Sequence, residues 1–255
     1  MGADVDLNNV DVVKELISWG KWYLNLTNVD GFRLDAVKHI DSTFFEEWVT
    51  ELNEYANKPL TFFGEYWSDN IESLKNYIAE TNSKISLFDV PLHYNFLKAS
   101  SSDGNYDMRD IFNGTLVKEL PELAITFVNN HDTQPGQSLE SWIPEWFIPI
   151  AYSLILLRNT GTPCVFYGDY YGIPSSNISS NQNILNTLLK IRKYFAYGKQ
   201  TDYFDDPNLV GWIMEGDFEH PYSGLAVLLT DSLGGSKQMN VGSNLAGKVL
   251  YDCTR

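Results

Sequence analysis

The run GFRLD at residues 31–35 is a short, partly apolar stretch that ends in a carboxylate. Runs of this kind recur along the chain and alternate with longer stretches of helical periodicity, which is typical of βα units and a parallel sheet. The pattern predicts five strands, at Gly31–Leu34, Leu60–Gly64, Ile85–Val90, Ile125–Asn129 and Cys164–Gly168. It predicts helices at about Val10–Leu26, Ser42–Tyr55, Asn70–Ala79, Met108–Leu116, Glu145–Asn159 and Asn183–Arg192.

The spacing of the predicted strands, roughly 25 to 40 residues, matches one unit of a (β/α)8 barrel. A doubly wound sheet fits the same alternation, but a barrel gathers its polar residues at the carboxyl ends of several different strands. Asp35, Glu65 and Asp132 each occupy such a place. We therefore predict an α/β fold, a partial (β/α)8 TIM barrel of about strands 4 to 8. Because a helix comes first, we expect three further βα units upstream of Met1.

After about Tyr203 the pattern changes to alternating strands and Gly-rich turns. Strands are predicted at 209–214 and 224–229, with a Gly-rich turn at 231–235, which favours an antiparallel β module. The chain is thus predicted to comprise two domains. Residues 1–202 would be the carboxyl-terminal portion of the barrel, and residues 203–255 the start of an all-β, sandwich-like domain.

Composition excludes several classes of partner. The chain has 255 residues, of which 44% are hydrophobic, and a formal charge of −15, which would repel nucleic acids and anionic membranes. The most apolar stretch, Trp146–Leu157, is too short to span a bilayer. The acidic amino terminus argues against an intact signal peptide. Fifteen Tyr, fourteen Phe and seven Trp suit neutral, polyhydroxylated ligands, although an ordinary aromatic core explains most of them.

Arg33 and Asp35 are two residues apart in the first predicted strand, so their side chains project to one side and those of Phe32 and Leu34 to the other. A neighbouring guanidinium favours the ionised carboxylate and lowers its pKa. A lowered pKa suits a nucleophilic or charge-stabilising carboxylate. A structural salt bridge at a strand end is the alternative for this pair.

Glu65 follows the apolar run Phe62–Gly64 and precedes Tyr66 and Trp67. Aromatic neighbours desolvate a carboxyl group and raise its pKa. A general acid at neutral pH must be protonated, so the environments of Glu65 and Asp35 are expected to push the two pKa values apart. A partly exposed side chain without a chemical role is the alternative.

The stretch FVNNHD, from Phe127 to Asp132, places a third carboxylate beside an imidazole and two amides at a predicted strand end. Such groups can hydrogen-bond to the hydroxyls of a sugar. A satisfied core residue or a metal ligand is the alternative for His131. Packing alone explains three such carboxylates poorly, because like charges that converge in a cleft cost stability.

At these three segments the sequence resembles the α-amylase family of retaining glycosidases, glycoside hydrolase family 13. The stretches GFRLDAVKH at 31–39, GEYW at 64–67 and FVNNHD at 127–132 are similar to the second, third and fourth signature regions of that family, in the same order. FDVPLHYNF at 88–96 and TQPGQSLES at 133–141 resemble its bacterial liquefying type. The resemblance runs over nearly the whole chain, which has no counterpart of the first signature region or of the inserted domain that walls the cleft.

The resemblance implies endo-acting hydrolysis of α-1,4-glucosidic bonds in starch by double displacement. Asp35 would attack the anomeric carbon, Glu65 would protonate the leaving oxygen and then activate water, and Asp132 would hold the sugar hydroxyls. The implied substrate-binding residues are Arg33, Lys38, His39, Trp67, Asn130 and His131. The implied partners are starch and maltooligosaccharides, for a protein that is monomeric when complete and that the resemblance favours as extracellular.

Calcium is the cofactor that the resemblance implies. The matching positions are Asp4 and the main-chain carbonyl of His39, with Asp6 and Asn8 as neighbours, and oxygen ligands of this kind suit calcium. A solvated acidic terminus is the alternative. A second implied set would join the barrel to the β module and consists of Gly104, Tyr106, Asn208 and Asp217.

Two other functions remain open on the sequence. The same carboxylates serve an α-glucan transglycosylase of the cyclodextrin-forming or branching type, in which a sugar replaces water as the acceptor. A carbohydrate-binding chain without activity is the alternative from another class, because the amino-terminal half of the barrel is not represented.

Overall fold

The computed structural model describes residues 5–254, which form a five-stranded parallel sheet with its helices and a separate three-stranded antiparallel sheet. The strands are β1 Gly31–Leu34, β2 Thr61–Gly64, β3 Ser86–Phe88, β4 Ala124–Phe127, β5 Thr162–Cys164, β6 Gln200–Tyr203, β7 Leu209–Met214 and β8 Leu225–Thr230. The helices are α1 Val10–Thr27, α2 Ser42–Ala56, α3 Ile71–Glu80, α4 Val90–Ser100, α5 Leu116–Glu119, α6 Ile148–Leu156, α7 Tyr167–Tyr171, α8 Gln182–Phe195 and α9 Gly242–Leu245.

The parallel sheet has the order β1-β2-β3-β4-β5, so each strand lies beside the next one in the chain. This arrangement is half of a β/α barrel, as predicted, and all five carboxyl ends lie along one rim. Close strand contact requires a glycine at the start of β1. A Cβ on Gly31 would lie 2.0 Å from the carbonyl oxygen of Thr61, its partner on β2.

The predicted alternation of side chains in β1 is confirmed. Phe32 stacks on Phe62 of β2, with ring centroids 5.9 Å apart, and meets the edge of Trp48 of α2 at 5.3 Å. Leu34 is buried on the same helix-facing side. Arg33 therefore projects to the opposite face, toward the inside of the half-barrel.

Several helices begin at an Asn or Asp whose side-chain oxygen caps the first turn. Asn9 accepts from the amide of Asp11, Asp41 from Thr43, Asn70 from Glu72 and Asp89 from Leu92. The caps at Asp41, Asn70 and Asp89 lie in the connections between strands and helices. They direct each helix back along the sheet, so the polar residues that precede them stay at the carboxyl rim.

Two predicted elements are wrong. No continuous helix covers Met108–Leu116, because the chain forms a 3₁₀ turn at Met108–Asp110 and Gly114 has a φ of +67° that a right-handed helix cannot contain. The fifth strand ends at Cys164 and not at Gly168, since residues 167–171 are helical. The helices α4, α5, α7 and α9 and the strand β6 were not predicted.

The two sheets are joined through Arg158, which follows α6. Its guanidinium donates to both carboxylate oxygens of Asp202 on β6, at 2.9 and 2.7 Å, and lies over the rings of Phe112, Phe204 and Trp212. The antiparallel sheet begins at Gln200, so the predicted boundary between residues 202 and 203 falls inside β6. The division into two domains stays a prediction.

Candidate active site at the carboxyl rim

Asp35 directly follows β1 and forms an ion pair with Arg33, as the strand pattern predicts. Its side chain is 70% exposed. The next residue, Ala36, has a left-handed backbone with a φ of +48°, a conformation that costs a non-glycine residue about 1 kcal/mol. This turn points the Ala36 N–H at Oε2 of Glu65, to which it donates at 3.0 Å.

Glu65 directly follows β2 and is only 7% exposed. Its N–H donates to the Leu34 carbonyl at 2.9 Å, and its carbonyl accepts from the Val37 N–H at 3.0 Å. The ladder between β1 and β2 thus continues past the strand ends, where neighbouring strands lie about 4.8 Å apart. The structure therefore brings Asp35 and Glu65 together. Their division into nucleophile and acid stays a prediction.

Asp132 lies in the turn that follows β4, and its side chain is 31% exposed. The Nε2 of His131 lies 3.3 Å from its carboxylate. Asn130 shapes this turn, because its side-chain oxygen accepts from the N–H groups of Asp132 and Thr133, both at 2.9 Å. Two of the predicted sugar-binding groups, His131 and Asp132, thus face outward from a turn that Asn130 holds.

An aromatic cluster connects the rim at β2 with the rim at β4. Trp67 has ring contacts with His93, Tyr94 and Phe127, at centroid distances of 5.8, 6.1 and 6.2 Å. Its indole N–H donates to the Tyr94 hydroxyl at 3.1 Å, and its carbonyl accepts from the Lys38 ammonium at 3.3 Å. Lys38 and Trp67 are therefore neighbours, as expected for residues that line one binding surface.

His93 is fully buried and lies parallel to the ring of Phe127. Its Nδ1 is 2.7 Å from the Val128 carbonyl and its Nε2 is 2.9 Å from the hydroxyl of Ser141. Burial lowers the pKa of His93 to about 4, so the ring is neutral near pH 7. Since a carbonyl only accepts, Nδ1 carries the proton and Nε2 accepts. The single hydroxyl proton of Ser141 serves either Nε2 or the Leu139 carbonyl, which lies 2.8 Å from the hydroxyl oxygen.

Asp89 occupies the end of β3 and is fully buried. Its two oxygens accept from the N–H groups of Leu92, Leu116 and Val117, at 3.2, 3.0 and 2.7 Å. One carboxyl group therefore caps α4 and fastens α5 to the sheet. Burial raises the pKa of Asp89 to about 6, against the lowering effect of the three amides.

Asp169 of α7 is buried behind the ends of β4 and β5. It accepts from the Tyr152 hydroxyl at 2.6 Å and from the side-chain amide of Asn129 at 3.0 Å. The oxygen of that amide accepts from the Ile143 N–H at 3.0 Å. Burial raises the pKa of Asp169 to about 6.

No role was predicted for these buried groups from the sequence. Asp89 and Asn129 have the same signal as Asp35, a polar residue directly after an apolar run, and that signal could have singled them out. His93 and Asp169 lie within helices and have no such signal. Their role depends on contacts with residues 35 to 48 and 17 to 40 positions away in the chain.

A groove of about 720 Å³ runs beside β1 and contains several predicted residues. Arg33, Asp35 and His39 line it together with Asp6 and Asn8. The Asp6 carboxylate accepts from the Asn8 N–H at 3.0 Å. The predicted calcium ligands Asp6, Asn8 and His39 therefore line the same groove as Asp35.

The predicted ligand Asp4 lies outside the described residues, so the first calcium set stays a prediction. Within residues 5–254, no group of three or more His, Cys, Asp and Glu side chains is placed to hold a metal ion. The same residues contain no helix long and apolar enough to cross a membrane.

The second predicted calcium set is only partly assembled. The side-chain amide of Asn208 donates to the Gly104 carbonyl at 2.6 Å and to Asp231 at 3.0 Å. Asp217 does not lie with them, because it pairs with His220 beyond the other end of β7, about 17 Å away for a strand of six residues. Asp231 lies beside Asn208 instead.

Asp231 is buried, and its second carboxylate oxygen has no hydrogen-bond partner among residues 5–254. Tyr106 lies two residues from Gly104, and its hydroxyl is 3.5 Å from the Asp110 carbonyl. A buried carboxylate oxygen without a partner beside a carbonyl and an amide group fits the oxygen ligands that calcium prefers.

Residues 2–202 match the family model described as "Alpha amylase, catalytic domain". The chain belongs to the α-amylase family. It is 56% identical over 254 residues to an α-amylase of Geobacillus stearothermophilus, and 49% identical over 254 residues to a glucan 1,4-α-maltohexaosidase of a Bacillus species. Both alignments cover 100% of this chain.

Solved structures of α-amylases share the fold of this α-amylase family member. The α-amylase of Geobacillus thermoleovorans, in complex with acarbose, matches with a TM-score of 0.67 at 20% identity, over 90% of this chain and 54% of that chain. The chain spans about half the length of the curated relatives it matches, 46% and 49% for the two named above.

Proposed function

We propose that the whole protein containing this chain hydrolyses internal α-1,4-glucosidic bonds of starch and maltooligosaccharides with retention of configuration. The observation that carries the proposal is the contact between the ends of β1 and β2, where the N–H next to Asp35 holds the carboxylate of Glu65. Membership of the α-amylase family and the exposure of Asp35 toward the groove support it.

Asp35 attacks the anomeric carbon and forms a covalent glycosyl ester while the bond to the leaving oxygen breaks. Glu65 gives its proton to that oxygen, then takes a proton from the water that cleaves the ester and restores both carboxyl groups. Retention by this route requires the two carboxyl groups to lie about 5 to 5.5 Å apart. Asp132 and His131 hold the sugar hydroxyls, and Trp67 stacks on a sugar ring with Lys38 beside it.

Calcium fits the junction between the two sheets. Gly104, Asn208 and Asp231 would hold the ion, with the Asn208 side chain turned to present its oxygen, and it would neutralise the buried carboxylate that lacks a second partner. Calcium bound there supplies a structural link between barrel and β module. No catalytic step depends on it.

Glu65→Gln tests the proposed role of Glu65 in the complete enzyme. We expect kcat on starch to fall about 10²- to 10⁴-fold, because the amide cannot donate a proton to the leaving oxygen. Starch binding should survive, since the side chain keeps its size and its contact with Ala36. Kinetics and a starch pull-down measure the two effects.

The matched control is Glu54→Gln, an exposed position on α2 that should leave kcat unchanged. Near-normal hydrolysis by Glu65→Gln would remove Glu65 from its assigned role. Product analysis on maltooligosaccharides separates hydrolysis from transfer, because a transglycosylase yields longer or cyclic glucans.

A further inference from the structure

A chain of buried hydrogen bonds runs from α6 to the end of β4. The Tyr152 hydroxyl donates to Asp169, the amide of Asn129 donates to the other oxygen of Asp169, and the Ile143 N–H donates to Asn129. All four residues are at most 1% exposed. The proposed reaction uses none of them.

Asn129 and Ile143 are the two ends of the segment 130–142, which carries His131 and Asp132. The Asn129 side chain therefore closes this segment where it leaves β4 and where it returns. Further contacts fasten the segment from within, because the Ser141 N–H donates to the Thr133 carbonyl at 3.0 Å. The link between Asn129 and Asp169 ties the closed segment to the body of the barrel.

We propose that Asp169 is a positioning residue that holds the Asp132-bearing segment in place through Asn129. The inference rests on the proposed function and adds to it a residue that never touches the sugar. Asp169 suits this task because a carboxylate only accepts, and so it satisfies the Tyr152 hydroxyl and the Asn129 amide at once. Burial of both oxygens makes each bond costly to lose.

Asp169→Asn would break one of the two hydrogen bonds that Asp169 accepts. An amide at position 169 accepts through one atom and donates through the other, so it cannot accept from both Tyr152 and Asn129. The double variant Asn129→Asp with Asp169→Asn restores every bond. The new amide accepts from Tyr152 and donates to the new carboxylate, which still accepts from Ile143.

Hydrogen exchange on the complete enzyme tests the positioning independently of activity. We expect Asp169→Asn to raise the exchange rates of amides in 130–143 about tenfold, and the double variant to return them to within about twofold of wild type. Tyr152→Phe is the control. It removes the other bond of Asp169, so it should lower Tm and leave exchange in 130–143 unchanged.

Kinetics in the complete enzyme test the consequence. Asp169→Asn should lower kcat per folded molecule about tenfold or more, because the contacts of Asp132 and His131 with the sugar hydroxyls must be in place in the transition state. The double variant should restore kcat. A purely structural role would lower the amount of folded enzyme instead.

The inference would be overturned if the exchange rates in 130–143 were unchanged in Asp169→Asn, or if they did not recover in the double variant. Faster exchange with a normal kcat would overturn it too. If Asp169→Asn does not fold, Asn129→Ser cuts the same link from the segment side and must raise exchange. A complete wild-type enzyme without activity on α-glucans would refute the proposed function alone, because the exchange result stands apart from it.

Discussion

The carboxyl rim of the sheet has two unlike halves. At β1 and β2 the ion pair of Arg33 and Asp35 is open to solvent, and the nearby Glu65 borders it. At β3 to β5 the polar groups Asp89 and Asp169 are fully buried and every oxygen has a donor. We expect the open half, together with the exposed turn of His131 and Asp132 after β4, to carry the proposed chemistry, and the buried groups to hold it in place.

The largest effect should follow from Asp35→Asn in the complete enzyme. We expect kcat to fall about 10³-fold or more, because the amide is a poor nucleophile. Tm should hardly change, since an exposed ion pair contributes at most about 1 kcal/mol. Kinetics and thermal unfolding measure both quantities.

Asp30→Asn is the matched control for Asp35→Asn, because Asp30 forms an exposed ion pair with Lys58 at the opposite end of β1. It should affect neither kcat nor Tm. A large loss of Tm in Asp35→Asn would break the comparison, since the open half would then be structural as well.

Asp89→Asn should affect stability first. We expect a loss of about 2 to 4 kcal/mol in the free energy of unfolding. In the variant, the amide NH₂ would face a backbone N–H that in the wild type donates a hydrogen bond to a carboxylate oxygen. Asp41→Asn, at the exposed cap of α2, should cost about 1 kcal/mol or less. Urea unfolding measures both.

The pH dependence of the Asp89 effect has a definite sign. Its pKa is raised to about 6 from an ordinary value of 3.8, so the folded state binds the proton more tightly than the unfolded state. Its stabilising contribution is full below about pH 4 and is lost as the pH rises through 6. The difference in the free energy of unfolding between wild type and Asp89→Asn should therefore shrink from pH 4 to 7. A constant difference would contradict the assignment.

His93→Gln should give the smallest effect, about 1 to 2 kcal/mol, because Gln retains one donor and one acceptor for Val128 and Ser141. The contribution of His93 to stability changes with pH in the opposite direction to that of Asp89. The pKa of His93 is lowered to about 4 by burial, so its contribution is full above 6.5 and is lost as the pH falls through 4. Urea unfolding of wild type and variant between pH 4 and 7 should show a difference that shrinks toward pH 4. If the free energy of unfolding changed equally with pH in wild type and variant, His93 would not be a buried, neutral group.

Much of the open half of the rim could be predicted from the sequence. Asp35 and Glu65 lie at strand ends because each follows a short apolar run, and residues of one strand alternate faces whatever surrounds them. The start of α1 at Val10 and of α2 at Ser42 could be predicted for the same local reason, since a polar cap precedes an amphipathic pattern.

The buried half could be predicted only in part, because a polar residue after an apolar run singles out Asp89 and Asn129 but gives no signal for their burial or their partners. The apolar pattern at 85–90 is compatible with one continuous strand through Asp89. Only packing shows that Asp89 follows the end of β3 and caps α4. The error at the second calcium set has the same origin. Asp217 and Asp231 look alike in the sequence, but β7 separates Asp217 from Asn208, whereas the return of β8 brings Asp231 beside it.

The resemblance to the α-amylase family, the order of the βα units and the candidate carboxylates follow from the sequence alone, because short motifs and strand periodicity are local properties of the chain. Which carboxylate is exposed, which is buried and which donors each oxygen meets follow only from the folded chain. Desolvation and hydrogen bonding depend on residues that are distant in the chain, such as Asn129 and Asp169, and no local pattern contains them.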